Sequence, residues 1–417
     1  DARARRCRVT TERPSSGVSL VGDQWILPGI ATAHSHAFQR ALRGRTQSVN
    51  ASATRDFWSW RGLMYQLAGR LDPDSIYDLS RFAFAELARH GVTAVGEFHY
   101  VQHDPKGQPY ADRIAMADAV VRAARDVGLR ITLLRVLYQR GGFGRGLDEV
   151  QRRFSDPEVG HALADADAIA ARFESDPGVR VGLAPHSVRA VGSAWLEAAR
   201  DHCAARGWPL HMHVSEQPRE NQECLAEHGL TPVGLLERLG LLSERFVAVH
   251  ATHLRRSDVA SLAASGATAC ICRTTERDLG DGAPDLSALV RAGIPLSVGV
   301  DSHAQSDPFE ELRAVELDER TRLGQRQVAL DGSALLQAGS TSGYACIGQA
   351  LEGDRVWLDA HDFSLGGDAG VDGIVFGASG RAVERSRVLG ADVVMDGRVP
   401  HQDALTAAFR ATVARLS

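Results

Sequence analysis

Residues 27–36 read Leu27-Pro28-Gly29-Ile30-Ala31-Thr32-Ala33-His34-Ser35-His36, a largely apolar run that ends in two histidines. Similar β-branched and aliphatic runs recur along the chain and alternate with longer amphipathic stretches. Eight of them are predicted to be strands: residues 26–30, 93–98, 131–137, 179–184, 209–214, 246–249, 268–271 and 295–300. Eight strand–helix units within about 300 residues favour an α/β fold, a closed (β/α)8 barrel of the TIM type.

The stretches between these runs carry the start and stop signals of helices. Residues 72–90 begin at Asp72 and are followed by Gly91, and residues 193–206 begin at Ser193 and are followed by Gly207. A polar residue at the start and a glycine just past the end are typical of helix caps. Both stretches are therefore predicted to be helices.

Polar residues follow many of the predicted strands at their carboxyl ends. In a barrel these ends meet at one face, where barrel enzymes carry their chemistry. An open, doubly wound sheet is the alternative, but it would spread the same residues along a crevice and gives no reason for so many histidines. The strand-end residues are His34, His36, Glu97, His99, His186, His213, Glu216, His250, Asp301 and His303.

The helical rhythm fades after about residue 350. Short apolar runs follow at residues 373–376 and 392–395, and then an alanine-rich helix from about Ala404. We predict that segments 1–26 and 351–417 together form a small β-sandwich-like domain, the latter also carrying the terminal helix. Residues 27–350 are then the barrel.

The composition excludes several classes of protein. With 417 residues, 44% hydrophobic residues and a net charge of -5, the chain is globular and carries no electrostatic footprint for nucleic acid. The basic run at residues 3–8 is interpreted as a solvated terminus. The sequence shows neither an apolar stretch of about 18 residues nor a secretory signal, so we expect a cytoplasmic protein without membrane contacts. Six irregularly spaced cysteines favour neither a disulfide framework nor a zinc finger.

His34 and His36 are the strongest candidates for metal ligands. Side chains at positions i and i+2 of an extended segment point to the same side, so both imidazoles can share one ion. The alternative is a pair of histidines with ordinary hydrogen bonds in the core or at the surface.

Two further strand ends complete the candidate site. His213 could supply a third nitrogen, and Asp301 could add a carboxylate and take the proton of a bound water, unless it is a helix cap. Glu216, three residues after His213, could reach over the metal toward a substrate. His211 has the same strand parity as His213 but lies deeper, so it is the competing ligand.

The ends of the sixth and fourth predicted strands bear on the candidate site and on the number of metal ions. His250 ends the sixth strand and is a further candidate, whereas His253 is assigned to the surroundings of the site or to the surface. The fourth strand ends in Pro185-His186-Ser187 instead of a lysine, which argues against a carbamylated lysine between two metals. One metal ion is expected.

These motifs resemble the amidohydrolase superfamily in its mononuclear deaminase branch. The resemblance rests on HSH after LPG, HVSE at residues 213–216, the histidine-ended sixth strand and VGVDSH at residues 298–303. Longer strings at residues 34–40, 57–61, 97–100, 184–189 and 274–282 are similar to branch members that act on an acidic formimino compound. The resemblance implies a hydrolase of a linear amidine that takes a small acidic substrate and forms a homodimer.

The resemblance also assigns roles to residues. It implies one Zn²⁺ per chain, with iron or manganese as the alternative metal, because availability in the cell also governs metal selection. Two arginines with a tyrosine and a histidine suit a substrate with two carboxylates, although ordinary salt bridges are the alternative for the arginines. The implied metal ligands are His34, His36, His213 and Asp301, the implied proton-handling residues are Glu216, His250 and Asp301, and the implied substrate contacts are Gln39, Arg61, Tyr100, His186 and Arg189.

Two other functions stay open at this point. A deaminase of the same branch that acts on a nucleobase, a nucleoside or another amidine would not need two arginines in its pocket. A metal-binding barrel without catalysis is disfavoured by Glu216, His250 and Asp301. The short segment before Leu27 and the charged stretch at residues 273–278 depart from the usual pattern of the superfamily.

Overall fold

The computed structural model describes residues 17–47, 57–366 and 370–416. The basic run at residues 3–8 lies outside these ranges. The described strands are β1 (Ser19–Val21), β2 (Gln24–Pro28), β3 (Ile30–Ser35), β4 (Val92–His99), β5 (Arg130–Leu137), β6 (Val179–Pro185), β7 (Leu210–Val214), β8 (Phe246–His250), β9 (Thr268–Ile271), β10 (Leu296–Val298), β11 (Arg355–Asp359), β12 (Val383–Val388) and β13 (Ala391–Val394).

Helices fill most of the chain between these strands. In the part of the chain that the structure covers, no helix is both long and apolar enough to cross a membrane. The helices are α1 (Phe57–Ala68), α2 (Pro73–Arg89), α3 (Ala115–Val127), α4 (Val159–Arg172), α5 (Ser193–Arg206), α6 (Pro218–His228), α7 (Pro232–Arg238), α8 (Arg256–Ser265), α9 (Arg273–Leu279), α10 (Leu286–Arg291), α11 (Pro308–Leu323), α12 (Gly332–Gly339), α13 (Thr341–Cys346), α14 (Gly370–Gly377) and α15 (Gln402–Leu416).

Strands β3 to β10 form the predicted barrel. They make one parallel sheet in which each strand pairs with the next one along the chain. A parallel bridge between Ser35 and Asp301 joins the first strand to the end of the last one. The Asp301 amide also donates to the His34 carbonyl over 3.0 Å, and the Val300 amide donates to Thr32 Oγ1 over 2.9 Å. This closure confirms the barrel and excludes the open, doubly wound alternative.

The two predicted helices are confirmed as α2 and α5. At the start of α2 the Asp72 carboxylate accepts from the Ser75 amide over 2.7 Å, and Pro73 occupies the first helical turn. Helix α5 ends at Gly207, whose φ of 68° is the left-handed conformation that glycine adopts without strain. Local capping chemistry therefore sets these boundaries.

The predicted first barrel strand, residues 26–30, is wrong in its position. Residues Gln24–Pro28 form β2, which pairs with β11 in the small sheet, and the first barrel strand is β3. The chain crosses between the two sheets at Gly29, where a Cβ atom would lie 2.7 Å from both Thr93 Oγ1 and the Tyr344 hydroxyl. The two strands read as one run because a single residue separates them.

Segments from both ends of the chain build the small sheet, as predicted. Its order is β1-β2-β11-β12-β13, with antiparallel neighbours. The run at residues 392–395 falls largely in β13, and the terminal helix is α15. The run at residues 373–376 lies in helix α14 instead, because a short apolar run cannot distinguish a strand from a buried helical turn. The domain boundaries at residues 26 and 350 stay predictions.

Candidate metal centre

The backbone is unusual where the barrel strands end. Residues other than glycine adopt positive φ at Ser215 (52°), His250 (71°), Asp301 (49°) and His303 (57°). Such conformations cost about 1–3 kcal/mol each and cluster at functional sites. The carboxyl face of the barrel therefore carries local strain where the predicted site residues lie.

The four predicted metal ligands lie together at this face. His34 Nε2 is 3.2 Å from His213 Nε2 and 3.4 Å from Asp301 Oδ1. His36 Nε2 is also 3.4 Å from Asp301 Oδ1. One nitrogen from each of the three histidines falls within a group whose members are at most 4.8 Å apart. The side chains thus converge on a point that one ion could occupy.

Hydrogen bonds to the backbone orient two of these rings. His36 Nδ1 donates to the Phe98 carbonyl and His213 Nδ1 donates to the His186 carbonyl, each over 2.9 Å. Their Nε2 atoms are therefore unprotonated and face the convergence point. Carbonyl partners of this kind are typical of metal-binding histidines.

Burial keeps the three imidazoles neutral. It lowers the pKa of His36 to about 3 and the pKa values of His34 and His213 far below the usual value. The Nδ1 atom of His34 is buried without a hydrogen-bond partner among the described residues. Neutral imidazoles with inward lone pairs beside a buried carboxylate fit a divalent cation.

His211 does not join the ligands. Its Nε2 atom is 2.9 Å from the Cys346 carbonyl, on helix α13. His253 Nε2 is 2.8 Å from the Asp281 carbonyl and likewise lies outside the converging group. Strand parity alone could not decide whether His211 or His213 is the ligand. Their positions along β7 decide it, because His211 lies deeper in the barrel and His213 lies at the carboxyl end.

Glu97 and His303 support the loop that carries the paired histidines. The Ser35 hydroxyl donates to Glu97 Oε2 over 2.6 Å, and the Ala37 amide donates to Glu97 Oε1 over 2.8 Å. His303 Nε2 is 3.0 Å from Ser35 Oγ on the other side. Burial raises the pKa of Glu97 to about 8. These contacts fix the backbone on either side of His36.

Two more predicted residues face the convergence point. His250 Nε2 lies 3.7 Å from Glu216 Oε1 and 3.8 Å from Asp301 Oδ2, and its ring stacks on His213 with centroids 5.5 Å apart. Burial lowers the pKa of His250, but the carboxylates of Glu216, Glu276 and Asp301 outweigh burial and raise it well above the usual value. Among these side chains His250 is a proton donor.

A cavity opens in front of these residues. Arg61 comes from helix α1, and the other predicted substrate contacts follow β3, β4 and β6. The cavity is therefore the candidate substrate pocket. Its lining includes all five predicted substrate contacts, namely Gln39, Arg61, Tyr100, His186 and Arg189, together with His36, His213, Glu216, His250 and Asp301.

The two predicted arginines differ in their contacts. The Arg61 guanidinium lies 4.9 Å from the Trp58 ring centroid and 5.0 Å from that of Tyr65, and it makes no ion pair with a carboxylate in the described ranges. Arg189 Nη2 donates to Glu216 Oε2 over 3.1 Å, and its Nε is 3.4 Å from Glu220 Oε2. Arg61 is therefore available to an anionic ligand, whereas Arg189 already binds two carboxylates.

The polar wall of the cavity offers an acceptor as well. Gln39 Nε2 donates to the Tyr100 hydroxyl over 2.9 Å, while Gln39 Oε1 is buried without a partner among the residues described. Burial lowers the pKa of His186 far below the usual value, so this ring is neutral. A ligand N–H could therefore be accepted at Gln39 Oε1.

Sequence reasoning missed several residues of the cavity. Tyr65, Tyr138 and Arg145 line it, as does Trp58, which was quoted only within the string at residues 57–61. Tyr138 directly follows the predicted strand 131–137, so the strand-end rule could have found it. Arg145 lies on a glycine-rich turn, and no pattern in the sequence placed that turn at the cavity.

Residues 25–351 match the model of the amidohydrolase family, and the chain belongs to this family. It is 35% identical over 405 residues to the formimidoylglutamate deiminase of Pseudomonas aeruginosa, covering 92% of this chain and 88% of that protein. It is 28% identical over 407 residues to the 8-oxoguanine deaminase of the same organism, covering 94% and 87%. The crystal structure of an amidohydrolase from Brucella melitensis superimposes with a TM-score of 0.88 at 31% identity, covering 96% and 95%. The predicted family is confirmed, and the protein is a hydrolase of C–N bonds.

Removing the metal should lower the melting temperature by several degrees. An ion present at about a thousand times its Kd adds about 4 kcal/mol to the free energy of unfolding, because it binds the native chain alone. Scanning calorimetry before and after chelation measures the change. The H213A variant, which lacks one ligand, should respond weakly. Equal melting temperatures of the loaded and stripped wild-type protein would contradict the metal centre.

Proposed function

We propose that the protein hydrolyses the C=N bond of N-formimino-L-glutamate to give N-formyl-L-glutamate and ammonia. The observation that carries the proposal is that three of the four converging ligands, His36, His213 and Asp301, line one cavity together with Arg61, which makes no ion pair with a carboxylate among the described residues. The similarity to formimidoylglutamate deiminase supports the choice of substrate.

His34, His36, His213 and Asp301 would hold one Zn²⁺ per chain. Three imidazole nitrogens and one carboxylate oxygen suit this ion better than Mg²⁺ or Ca²⁺, which prefer oxygen ligands. When bound, such an ion makes a water molecule nucleophilic near neutral pH.

Asp301, Glu216 and His250 divide the proton transfers. Asp301 accepts the proton of the attacking water as its oxygen bonds to the formimino carbon. His250 Nε2, which faces Glu216 and Asp301, stabilises the charge that develops on that oxygen. Glu216 carries this proton from the water to the terminal nitrogen, which becomes an amine. The second proton of the water, left on the new hydroxyl, passes by way of Asp301 to the same nitrogen as the C=O bond forms, so the C–N bond breaks and ammonia leaves with both protons. The formimino group thereby becomes a formyl group.

The remaining contacts bind the glutamate part of the substrate. Arg61 pairs with one carboxylate, and Arg189 offers the N–H groups that Glu216 and Glu220 leave unused to the other. Gln39 Oε1 accepts from a substrate N–H, while the Tyr100 hydroxyl and the neutral His186 complete the polar wall.

Metal analysis and a substrate panel test this function. Metal content would be measured on the purified protein, and ammonia release followed from N-formimino-L-glutamate, guanine, 8-oxoguanine and adenosine. One zinc per chain and ammonia from the formimino compound alone are expected. Turnover of guanine, 8-oxoguanine or adenosine instead would agree with a hydrolase but contradict the proposed substrate. No turnover of any compound would overturn the proposal.

The R61A variant should raise the KM for N-formimino-L-glutamate about 10- to 100-fold. A hydrogen-bonded charge pair contributes about 1.5–3 kcal/mol, and the variant loses one such pair with substrate. Steady-state kinetics with a neutral formamidine should show no comparable change. The exposed-arginine variant R180A is the matched control. An unchanged KM for the acidic substrate in R61A would contradict this role.

A further inference from the structure

A completely buried carboxylate, Glu276, lies behind His250. Glu276 Oε1 is 3.3 Å from His250 Nδ1 and accepts from the Cys272 amide over 2.9 Å. Glu276 Oε2 accepts from Arg273 Nη1 over 2.6 Å. Both oxygens are thus committed, one toward His250 and the other toward Arg273.

Arg273 ties this carboxylate to the outside of the barrel. Its Nε donates to Asp318 Oδ2 over 2.7 Å, and Nη1 donates to the Gly282 carbonyl over 2.9 Å. Asp318 belongs to helix α11 and also pairs with Arg277 over 2.5 Å. The charged stretch at residues 273–278 is therefore a chain of ion pairs that runs from the surface to the cavity.

The carboxylate is ionised despite its burial. Burial raises the pKa of Glu276, but the hydrogen bond and charge of His250 and the charge of Arg273 outweigh it and hold the pKa below the usual value. An ionised carboxylate only accepts hydrogen bonds, so the proton at this contact belongs to His250 Nδ1.

Strand β8 alone does not fix the orientation of the His250 ring. His250 is the last residue of β8 and has a positive φ of 71°, and Glu276 is its hydrogen-bond partner at Nδ1. With Nδ1 facing Glu276, Nε2 faces Glu216 and Asp301. Rotation of the ring would break this arrangement.

We propose that Glu276, anchored by Arg273, is a positioning residue that fixes the ring orientation of His250 and keeps its Nδ1 protonated for hydrolysis. This role in hydrolysis rests on the proposed function. Glu276 has no contact with the candidate metal ligands among its hydrogen bonds. It acts on the reaction through His250.

The E276Q variant tests the proposal. A glutamine oxygen accepts from His250 or from Arg273, but its amide nitrogen then faces a second donor, so one contact is lost. We expect kcat to fall about 10- to 100-fold, with KM within about threefold and metal content unchanged. Unchanged kcat, or a loss confined to metal content, would overturn the proposal.

Glu311 offers a matched control. Glu311 lies on helix α11, and its carboxylate is also buried. It accepts from the amide of Thr274, at the start of helix α9, over 3.1 Å, and none of its hydrogen bonds is to His250. Burial raises its pKa to about 8, so glutamine replaces a largely neutral side chain. E311Q should retain the wild-type kcat.

A double-mutant cycle separates positioning from a general structural effect. If Glu276 acts through His250, E276Q should change the residual kcat of H250A less than threefold. The same 10- to 100-fold loss in both backgrounds would overturn the proposal. R273Q keeps the Glu276 carboxylate but removes the arginine that anchors it, so it should lower kcat by a smaller factor than E276Q does. R273Q replaces E276Q as the test if E276Q does not fold.

Long-range ¹H–¹⁵N spectra of histidine-labelled, metal-free protein give a readout independent of catalysis. The His250 signals, assigned by their loss in H250A, should show a protonated Nδ1 in the wild type and an altered pattern in E276Q. The same pattern in both proteins would overturn the proposal. Failure of the proposed substrate would instead appear as absent ammonia release by the wild type with these spectra unchanged.

Discussion

The E216Q variant should lose about 10²- to 10⁴-fold in kcat while keeping one metal ion per chain. Glutamine matches the shape of Glu216 but cannot transfer a proton to the leaving nitrogen, and general acid–base catalysis contributes a factor of this size. Glu216 lies 3.7 Å from His250 Nε2 and lines the cavity, but it does not belong to the converging ligand groups. Single-turnover kinetics with metal analysis of the same sample would measure both quantities.

The surface variant E197Q controls for the loss of a carboxylate, because Glu197 is exposed on helix α5. It should turn over substrate at the wild-type rate. A kcat for E216Q within about threefold of the wild type, with the metal site full, would assign the proton transfer to another group.

The second large effect concerns stability. Replacing Arg135 by leucine should lower the free energy of unfolding by about 3–5 kcal/mol, because removing one partner leaves buried charge uncompensated. Arg135 is completely buried in β5, and its Nη2 donates to Asp156 Oδ2 over 2.7 Å and to Asp165 Oδ2 over 3.1 Å. Urea unfolding followed by fluorescence would measure the loss in metal-saturated protein.

The effect of R135L should depend on pH. Burial raises the pKa of Asp156, but the charge of Arg135 and the hydrogen bond from His103 hold it well below the usual value. This carboxylate therefore stabilises the wild type above the unfolded-state pKa of about 3.9, and that stabilisation is lost as the pH falls below it. Without Arg135 the buried carboxylate is relieved by protonation, so the difference in stability between the wild type and R135L should narrow as the pH falls toward 4 and close only below the unfolded-state pKa, where the wild type loses its own stabilisation.

Arg122 provides the control for this experiment. It pairs with Asp118 over 2.7 Å on helix α3, with half of its side chain exposed. R122L should cost less than about 1 kcal/mol, since exposed ion pairs contribute little. Equal losses in R135L and R122L would show that the buried cluster adds no specific stability.

Strand-end residues made the centre of the site predictable. His34, His36, His213 and Asp301 each follow an apolar run, and the closed barrel brings the ends of such runs to one face. The same reasoning failed where one run contains two elements, as on either side of Gly29. No local signal marks the crossing, because it depends on the close approach of Thr93 and Tyr344.

Contacts between distant side chains could not be predicted from the sequence. Arg189 was expected to bind substrate, yet it already bonds to Glu216 and lies close to Glu220, which come from the next strand–helix unit. Glu276 was quoted only within a longer string, and its contact with His250 depends on how helix α9 packs behind β8. Spacing along one element predicts a face, but pairing across elements requires the fold.

The closure of the barrel between β3 and β10 also has a consequence for biosynthesis. Thr32 and Val300, which bond at the seam, are 268 positions apart. At about 5–20 residues per second, a ribosome needs roughly a quarter of a minute to a minute to make the intervening chain. During that time β3 can pair with β4 but not with β10, and His34 and His36 are present without Asp301. A nascent chain arrested before β10 would therefore lack Asp301, one of the four proposed ligands, and tight binding of the proposed ion would require the last barrel strand.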